Sequence, residues 1–215
     1  MSLLIFDLDG TLIDSRLDLA HAVNAALAES GRGALPRELI YSYVGNGAPV
    51  LMKRAMGPQA TDDEVRSALE FFMDYYRHHA VDHTCLYPGV RESLERLRAA
   101  GVPMAVLTNK PVKISRSIME HFGLASGMLA IYGGNSFDRK KPDRIGVDTL
   151  RADAGAAAED TWMIGDSYVD IQTARNAGVR ACGVTWGFQP ETFQEFPPDV
   201  LVDRLEDFAV RFLSA

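Results

Sequence analysis

Cysteine is scarce in this chain: Cys85 and Cys182 are the only two in 215 residues, far apart and in no Cys-x-x-Cys pattern. That excludes a disulfide framework and a zinc ribbon, and two free thiols fit a reducing compartment. No apolar run is long enough to cross a bilayer. No basic segment with a cleavable apolar stretch precedes the first strand-like run, so the expected location is cytoplasmic, with no membrane partner. Positive charge is in deficit as well, 22 Lys and Arg against 29 Asp and Glu, for a net charge of -7. A nucleic-acid partner is not expected, because phosphate backbones are held by clustered Lys and Arg. A small anionic substrate can still bind, provided the site brings its own cation.

What the chain has is apolar patterning: 47% hydrophobic and 24% charged residues, without low-complexity tracts or internal repeats, as in globular proteins. The stretch LLIFDL from Leu3 is a near-continuous apolar run, the signature of a parallel strand buried on both faces. Similar runs recur at Val102–Thr108, Met128–Gly133, Thr161–Asp166, Val179–Thr185 and, weakly, Asp199–Val202. Amphipathic helical segments at Val90–Ala100 and Val112–Phe122 lie between strand runs, with Gly101 and Gly123 at the left-handed cap position. The alternation predicts an α/β fold, a Rossmann-like parallel sheet flanked by helices. From Ser15 to Leu86 no strand is evident. Leu17, Ala20, Val23 and Leu27 mark one helix and Val65, Leu69, Phe72 and Tyr76 another, with shorter helical pieces between Pro36 and Met56. The expected organisation is a core of residues 1–14 and 87–215 with an inserted all-helical domain of residues 15–86.

Ligands of open parallel sheets bind beyond the carboxyl ends of the strands, and chemically capable residues stand there. They are Asp7 and Asp9 on the first strand, Thr108, Asn109 and Lys110 on the second, and Asp166 with Asp170 on the fourth. Lys140 and Lys141 follow the third. Convergence of Asp7, Asp9 and Asp166 makes an oxygen-rich, negatively charged site matched to Mg²⁺ and a phosphate substrate. In that scheme the Asp7 carboxylate attacks phosphorus to form an aspartyl phosphate, and Asp9 protonates the leaving alkoxide and then deprotonates water. Thr108 and the Asn109 amide hold phosphoryl oxygens, and Lys141 spreads positive charge over the nucleophile. Gly10 lets the backbone turn away close to the ligand.

Blander roles compete for single residues. Asp14 with Ser15 reads as a helix cap, and Asp170 as either a cap or a site residue. Lys140 and Lys141 could be a solvated pair, and Thr108 to Pro111 a turn into a helix. His79 and His83, at i and i+4 with His78 adjacent, read as a solvated or hinge-side cluster rather than a metal face. Gly45 to Gly47 lack the third glycine and preceding strand of a dinucleotide fingerprint. Tyr41, Tyr43, Phe71, Phe72, Tyr75 and Tyr76 read as packing of the small helical core. It is the joint occurrence of polar residues at successive strand ends that singles out the site.

Taken together, DLDGT (Asp7 to Thr11), LTNKP (Leu107 to Pro111), KKP (Lys140 to Pro142) and IGDSYVDIQTARNAG (Ile164 to Gly178) resemble the four ordered motifs of the haloacid dehalogenase (HAD) superfamily, in its phosphatase branch. The resemblance spans nearly the whole chain. The helical insert resembles the cap of subfamily I. Tyr43 to Met56 and Tyr87 to Val90 are most similar to bacterial phosphatases of a small phosphorylated carboxylic acid.

The resemblance implies Asp7 as nucleophile, Asp9 as acid/base, and Mg²⁺ held by Asp7, the Asp9 carbonyl and Asp166, with Asp170 supporting the metal directly or through water. It implies Thr11 as the residue orienting the acid/base loop, and Gly45 with Asn46 as a cap loop closing over a small organic phosphate. Asn46, the Gly47 amide or Arg54 would meet the substrate carboxylate. The third motif departs from the pattern, with Arg144 where a second proline is common, and Arg139 stands near the same loop. Sugar phosphates, nucleotides and pyrophosphate are the alternative substrates, and a β-phosphoglucomutase-like isomerase shares the first motif. A dehalogenase needs neither Asp9 nor a magnesium site, and a phosphonatase would need a cap lysine, for which only Lys53 is present. A degenerate binding protein would need a damaged site, and no motif residue is missing. A monomer or homodimer is expected.

Overall fold

The computed structural model describes residues 2–214. In chain order its regular elements begin with β1 (Leu3–Phe6), β2 (Ile13–Asp14), α1 (Arg16–Glu29), α2 (Arg37–Tyr41), α3 (Ala48–Met56), α4 (Asp62–His79) and β3 (Cys85–Leu86). They continue with α5 (Val90–Ala99), β4 (Met104–Leu107), α6 (Val112–His121), β5 (Ile131–Tyr132) and α7 (Ile145–Ala154). The last are β6 (Thr161–Gly165), α8 (Tyr168–Ala177), β7 (Arg180–Val184), β8 (Val200–Val202) and α9 (Leu205–Leu213). Two compact units result, one of Met1–Ile13 with Leu86–Ala215 and one of Asp14–Cys85.

The first unit is built on a parallel sheet ordered β5-β4-β1-β6-β7-β8. Numbering its six strands along the chain turns this into 3-2-1-4-5-6, so the order reverses between β1 and β6, where open α/β sheets form their ligand crevice. β1 pairs with both neighbours, Ile5 beside Ala105 and beside Met163. All four of its side chains are buried, which is why its sequence shows no polar alternation. Leu3 and Ile5 share one core with Leu107, Met163, Val147 and Leu150 of α7, and Ile171 and Ala174 of α8. Leu4 and Phe6 point to the opposite face, as period 2 requires. The buried Leu94 and Leu97 of α5 and Phe208 of α9 likewise lie outside that core cluster, and those two helices pack on each other.

The second unit is helical apart from the ends of the short β2–β3 ribbon. Its core is filled by Leu27, Ile40, Met52, Phe72 and Tyr76, each almost fully buried, with Phe72 and Tyr76 stacked at a centroid distance of 5.5 Å. α1 packs against α4, and α3 against both. α4 starts on a capping box: the Thr61 hydroxyl accepts from the Glu64 N–H at 3.3 Å, and the Glu64 carboxylate accepts from the Thr61 N–H at 2.7 Å. Ser15 makes no capping bond with its side chain. Asp14 does that work, accepting from the Arg16 N–H at 3.2 Å and from its guanidinium at 2.5 and 2.9 Å. The β5 and β4 strands are shorter than the apolar runs containing them, and α7 forms without the second proline, its first turn carrying an Arg144–Asp148 pair.

Ile5→Ala should cost about 2–5 kcal/mol of unfolding free energy, because the deleted atoms leave a cavity between two packed faces. Thr61→Ala should cost about 1 kcal/mol. Urea denaturation of each variant checks the ranking.

Candidate functional site

β1 runs out of hydrogen-bonded sheet at Asp7, whose N–H still donates to the Ile164 carbonyl at 2.9 Å. This last rung fixes Asp7 beside the end of β6, and Asp166 is the first residue past that end. Asp7, Asp166 and Asp170 bring carboxylate oxygens within 4.8 Å of one another. Gly10 is required for the approach: its φ is +83°, and a Cβ there would lie 2.3 Å from Asp166 Oδ2.

Lys141 is the counter-charge. Its ammonium, 2% exposed, lies 3.0 Å from Asp7 Oδ1 and 2.6 Å from Asp170 Oδ1. Asp7 Oδ1 also accepts the Leu8 N–H at 2.7 Å, which leaves Oδ2 without a donor among the described residues. Asp170 divides its oxygens between two tasks. Oδ1 holds Lys141, while Oδ2 accepts from the Ser167 N–H at 3.1 Å and the Ser167 hydroxyl at 2.8 Å, capping α8. Asp170 therefore caps α8 and meets Lys141 at the same time.

Asp9 makes a different partnership. Lys110, buried at the end of β4, donates from Nζ to both Asp9 oxygens at 2.9 and 3.1 Å. Thr108 and Asn109 are buried beside it, and the Asn109 side-chain Nδ2 donates to the Lys141 carbonyl at 3.1 Å, tying the second motif to the third. Thr11 is fully buried, and its hydroxyl has no hydrogen-bond partner among the described residues. Gly45 and Asn46 belong to the helical unit, on the turn between α2 and α3, Gly45 with φ +112°. Arg139 is exposed and pairs with Asp143 at 3.3 Å, while Lys141 lies on Asp7 and Asp170.

Two groups have no role in the sequence reading. Lys110 was visible at the strand end, but only the fold shows which acid it meets. The loop after β7 brings the Phe188 N–H to Asp166 Oδ2 at 2.6 Å. Gly187 permits this, since a Cβ there would lie 2.1 Å from the Asp166 Cβ. The one local signal is a glycine just after a strand end, too common to single out.

The electrostatics follow from burial. Removal from water pushes the Asp7 carboxyl up to about 6, with Lys141 opposing and Asp170 adding to the rise. Asp166 is raised well above the usual carboxylate range, first by burial and then by Asp170 and Asp7. Burial pulls Lys141 down, but Asp170 and Asp7 outweigh it and hold the ammonium above its usual value. Three carboxylates around one ammonium form a donor set of hard oxygens with uncompensated negative charge, which fits a divalent cation.

The chain matches the haloacid dehalogenase-like hydrolase family over residues 4–184. It is 38% identical over 214 residues to a phosphoglycolate phosphatase of Vibrio parahaemolyticus, covering 96% of this chain and 94% of that one. A phosphoglycolate phosphatase of Pseudomonas savastanoi pv. phaseolicola is 39% identical over 209 residues, with 94% and 76% covered. Among solved structures, a predicted phosphoglycolate phosphatase of Haemophilus somnus 129pt superposes with a TM-score of 0.92 at 33% identity, over 98% and 97% of the two chains. The chain belongs to the haloacid dehalogenase-like hydrolases.

The raised Asp7 carboxyl has a thermodynamic signature. The folded chain binds more protons than the unfolded chain between pH 3.8 and about 6, so in EDTA this group's contribution to stability falls as pH rises through that window and is level above it. Asp166 adds to the decline in the same direction. Asp7→Asn should flatten the decline, and saturating Mg²⁺ should narrow the gap between variant and parent above pH 6. Urea midpoints measured across the window check both.

Proposed function

We propose that the chain hydrolyses small phosphate monoesters through an aspartyl phosphate on Asp7, with 2-phosphoglycolate as substrate. The observation that carries the reading is the buried Asp7–Lys141–Asp170 chain beside Asp166, at the crevice where the strand order reverses. A nucleophile held by an ammonium, next to carboxylates that need a cation, suits an incoming dianion. The relatives' names supply the substrate.

The reaction has two halves. An Asp7 carboxylate oxygen attacks phosphorus as the ester oxygen leaves, and Asp9 gives that oxygen a proton. Asp9 then takes a proton from water, whose oxygen attacks the same phosphorus and returns Asp7 as a free carboxylate with inorganic phosphate released. Lys141 offsets charge at the nucleophile in both halves, and the Thr108 hydroxyl with the Asn109 backbone N–H receives phosphoryl oxygens. Asp7 and Asp166, with the Asp9 carbonyl, would hold Mg²⁺, which when bound supplies positive charge to the phosphoryl oxygens. Asp170, its oxygens occupied by Lys141 and Ser167, acts through Lys141 as a positioning residue. Lys110 orients the Asp9 side chain and offsets its charge after it has given up its proton.

Selection among phosphate esters is assigned to the helical unit, with Gly45 and Asn46 as the positions to test and Asn46, the Gly47 amide and Arg54 as contacts for the substrate carboxylate. The two free thiols support a reducing, cytoplasmic setting.

The test is phosphate release from 2-phosphoglycolate, sugar phosphates, nucleotides, p-nitrophenyl phosphate and pyrophosphate, each with Mg²⁺ or EDTA. Expected are a lead of orders of magnitude in kcat/KM for 2-phosphoglycolate and silence on chelation. Equal turnover of several esters would overturn the narrow specificity and leave the phosphatase. Asp7→Asn should abolish turnover with the fold intact. Asp9→Asn should lower kcat by about 10²–10⁴. Undiminished release by Asp7→Asn would overturn the mechanism.

A further inference from the structure

The helical unit carries a cluster that the phosphate chemistry does not use. Asp18 and His21, one turn apart on α1, and His83, on the segment returning to β3, bring three metal-ligating atoms within 4.8 Å of one another. Asp18 and His21 share a helix face because they are three positions apart. His83 arrives from 65 residues away in sequence. The two imidazoles meet edge to face, centroids 5.2 Å apart and planes at 79°. Their ring nitrogens have no hydrogen-bond partner among the described residues.

Asp18 is buried and held rigidly. The His83 N–H donates to both its oxygens at 3.0 Å, and Oδ2 also accepts the Thr84 N–H at 2.8 Å and the Thr84 hydroxyl at 2.7 Å. Oδ1 receives only the shared His83 amide and keeps a lone pair. These bonds explain why an acid is buried here, since it clamps the returning segment. They do not explain why two unpartnered imidazoles stand beside it. The neighbouring histidines are otherwise engaged: His78 bonds the Asp74 carbonyl, and His79 pairs with Asp82 and stacks on Tyr75.

We propose that Asp18, His21 and His83 form a second metal site, for a divalent transition metal of the zinc class. Two imidazoles and one carboxylate are a borderline nitrogen and oxygen set that suits Zn²⁺ or Co²⁺, whereas Mg²⁺ takes oxygen ligands. The backbone donors on Asp18 orient its carboxylate as outer-shell bonds orient metal ligands. Ligand atoms around a tetrahedral zinc lie roughly 3.4 Å apart, given bonds of about 2.0–2.1 Å. The cluster must therefore contract, and the exposed His83 ring supplies the movement by rotating about its side-chain bonds. A fourth position remains for water. Metal bound here ties the first turn of α1 to the segment before β3, closing the helical unit at the point where its chain enters and leaves.

The experiment titrates Zn²⁺ into the whole protein kept in excess Mg²⁺, which occupies the carboxylate site, and reads stoichiometry by equilibrium dialysis and the shift in thermal midpoint. Co²⁺ replaces Zn²⁺ in a parallel arm that reads its visible absorption. Expected are one Zn²⁺ per chain, a rise in midpoint, and a loss of affinity of at least about tenfold in both His21→Ala and His83→Ala. His78→Ala and Asp7→Asn should bind as the parent does, which separates this site from the phosphatase reading. If His21→Ala disturbs the half-buried helix face, His83→Ala, at an exposed position, carries the test. No Zn²⁺ binding by the parent, or binding as tight as the parent's by either histidine variant, overturns the proposal.

Discussion

Three buried carboxylates around a single buried ammonium are the constraint on which this molecule turns. If all four groups are ionised, two negative charges remain without compensation in a site that water scarcely reaches. Such an arrangement persists only because the sheet leaves it little choice. The last rung of the β1–β6 ladder sets Asp7 beside Asp166, and a glycine on each side lets the backbone close around Asp166. The unfavourable electrostatics are of the kind that a bound cation relieves.

Much of this was legible in the sequence, for definite reasons. Parallel strands buried on both faces leave apolar runs, and the crevice of such a sheet is where the runs end, so polar residues at successive run ends pointed to one place. The first, second and fourth motifs need only that logic. Strand lengths were less legible, because Val102 and Met128 are apolar without being in the ladder. Tertiary partners were the least so. Nothing near Lys110 says that it meets Asp9, and nothing near Phe188 says that its amide meets Asp166, since those pairs are separated by 101 and 22 positions. The histidines of the helical unit behave likewise: α4 ends at His79, so the i, i+4 spacing to His83 is not helical, and His83 meets His21.

The two units also differ in what holds them. The sheet unit rests on a doubly packed layer, so a substitution in β1 is felt on both faces. The helical unit has a small core of aromatic and aliphatic side chains and depends more on its ends, on the Thr61–Glu64 box and on Asp18 gripping the returning chain. A shared fold hosts many activities, and this division suits that: the chemistry is built into the layer that tolerates least change.

The double use of Asp170 concentrates that intolerance in a single side chain. One oxygen holds the lysine beside Asp7 and the other caps a helix. A substitution at this position therefore removes a partner of the buried lysine and a helix cap together, so any change there is felt in two places at once.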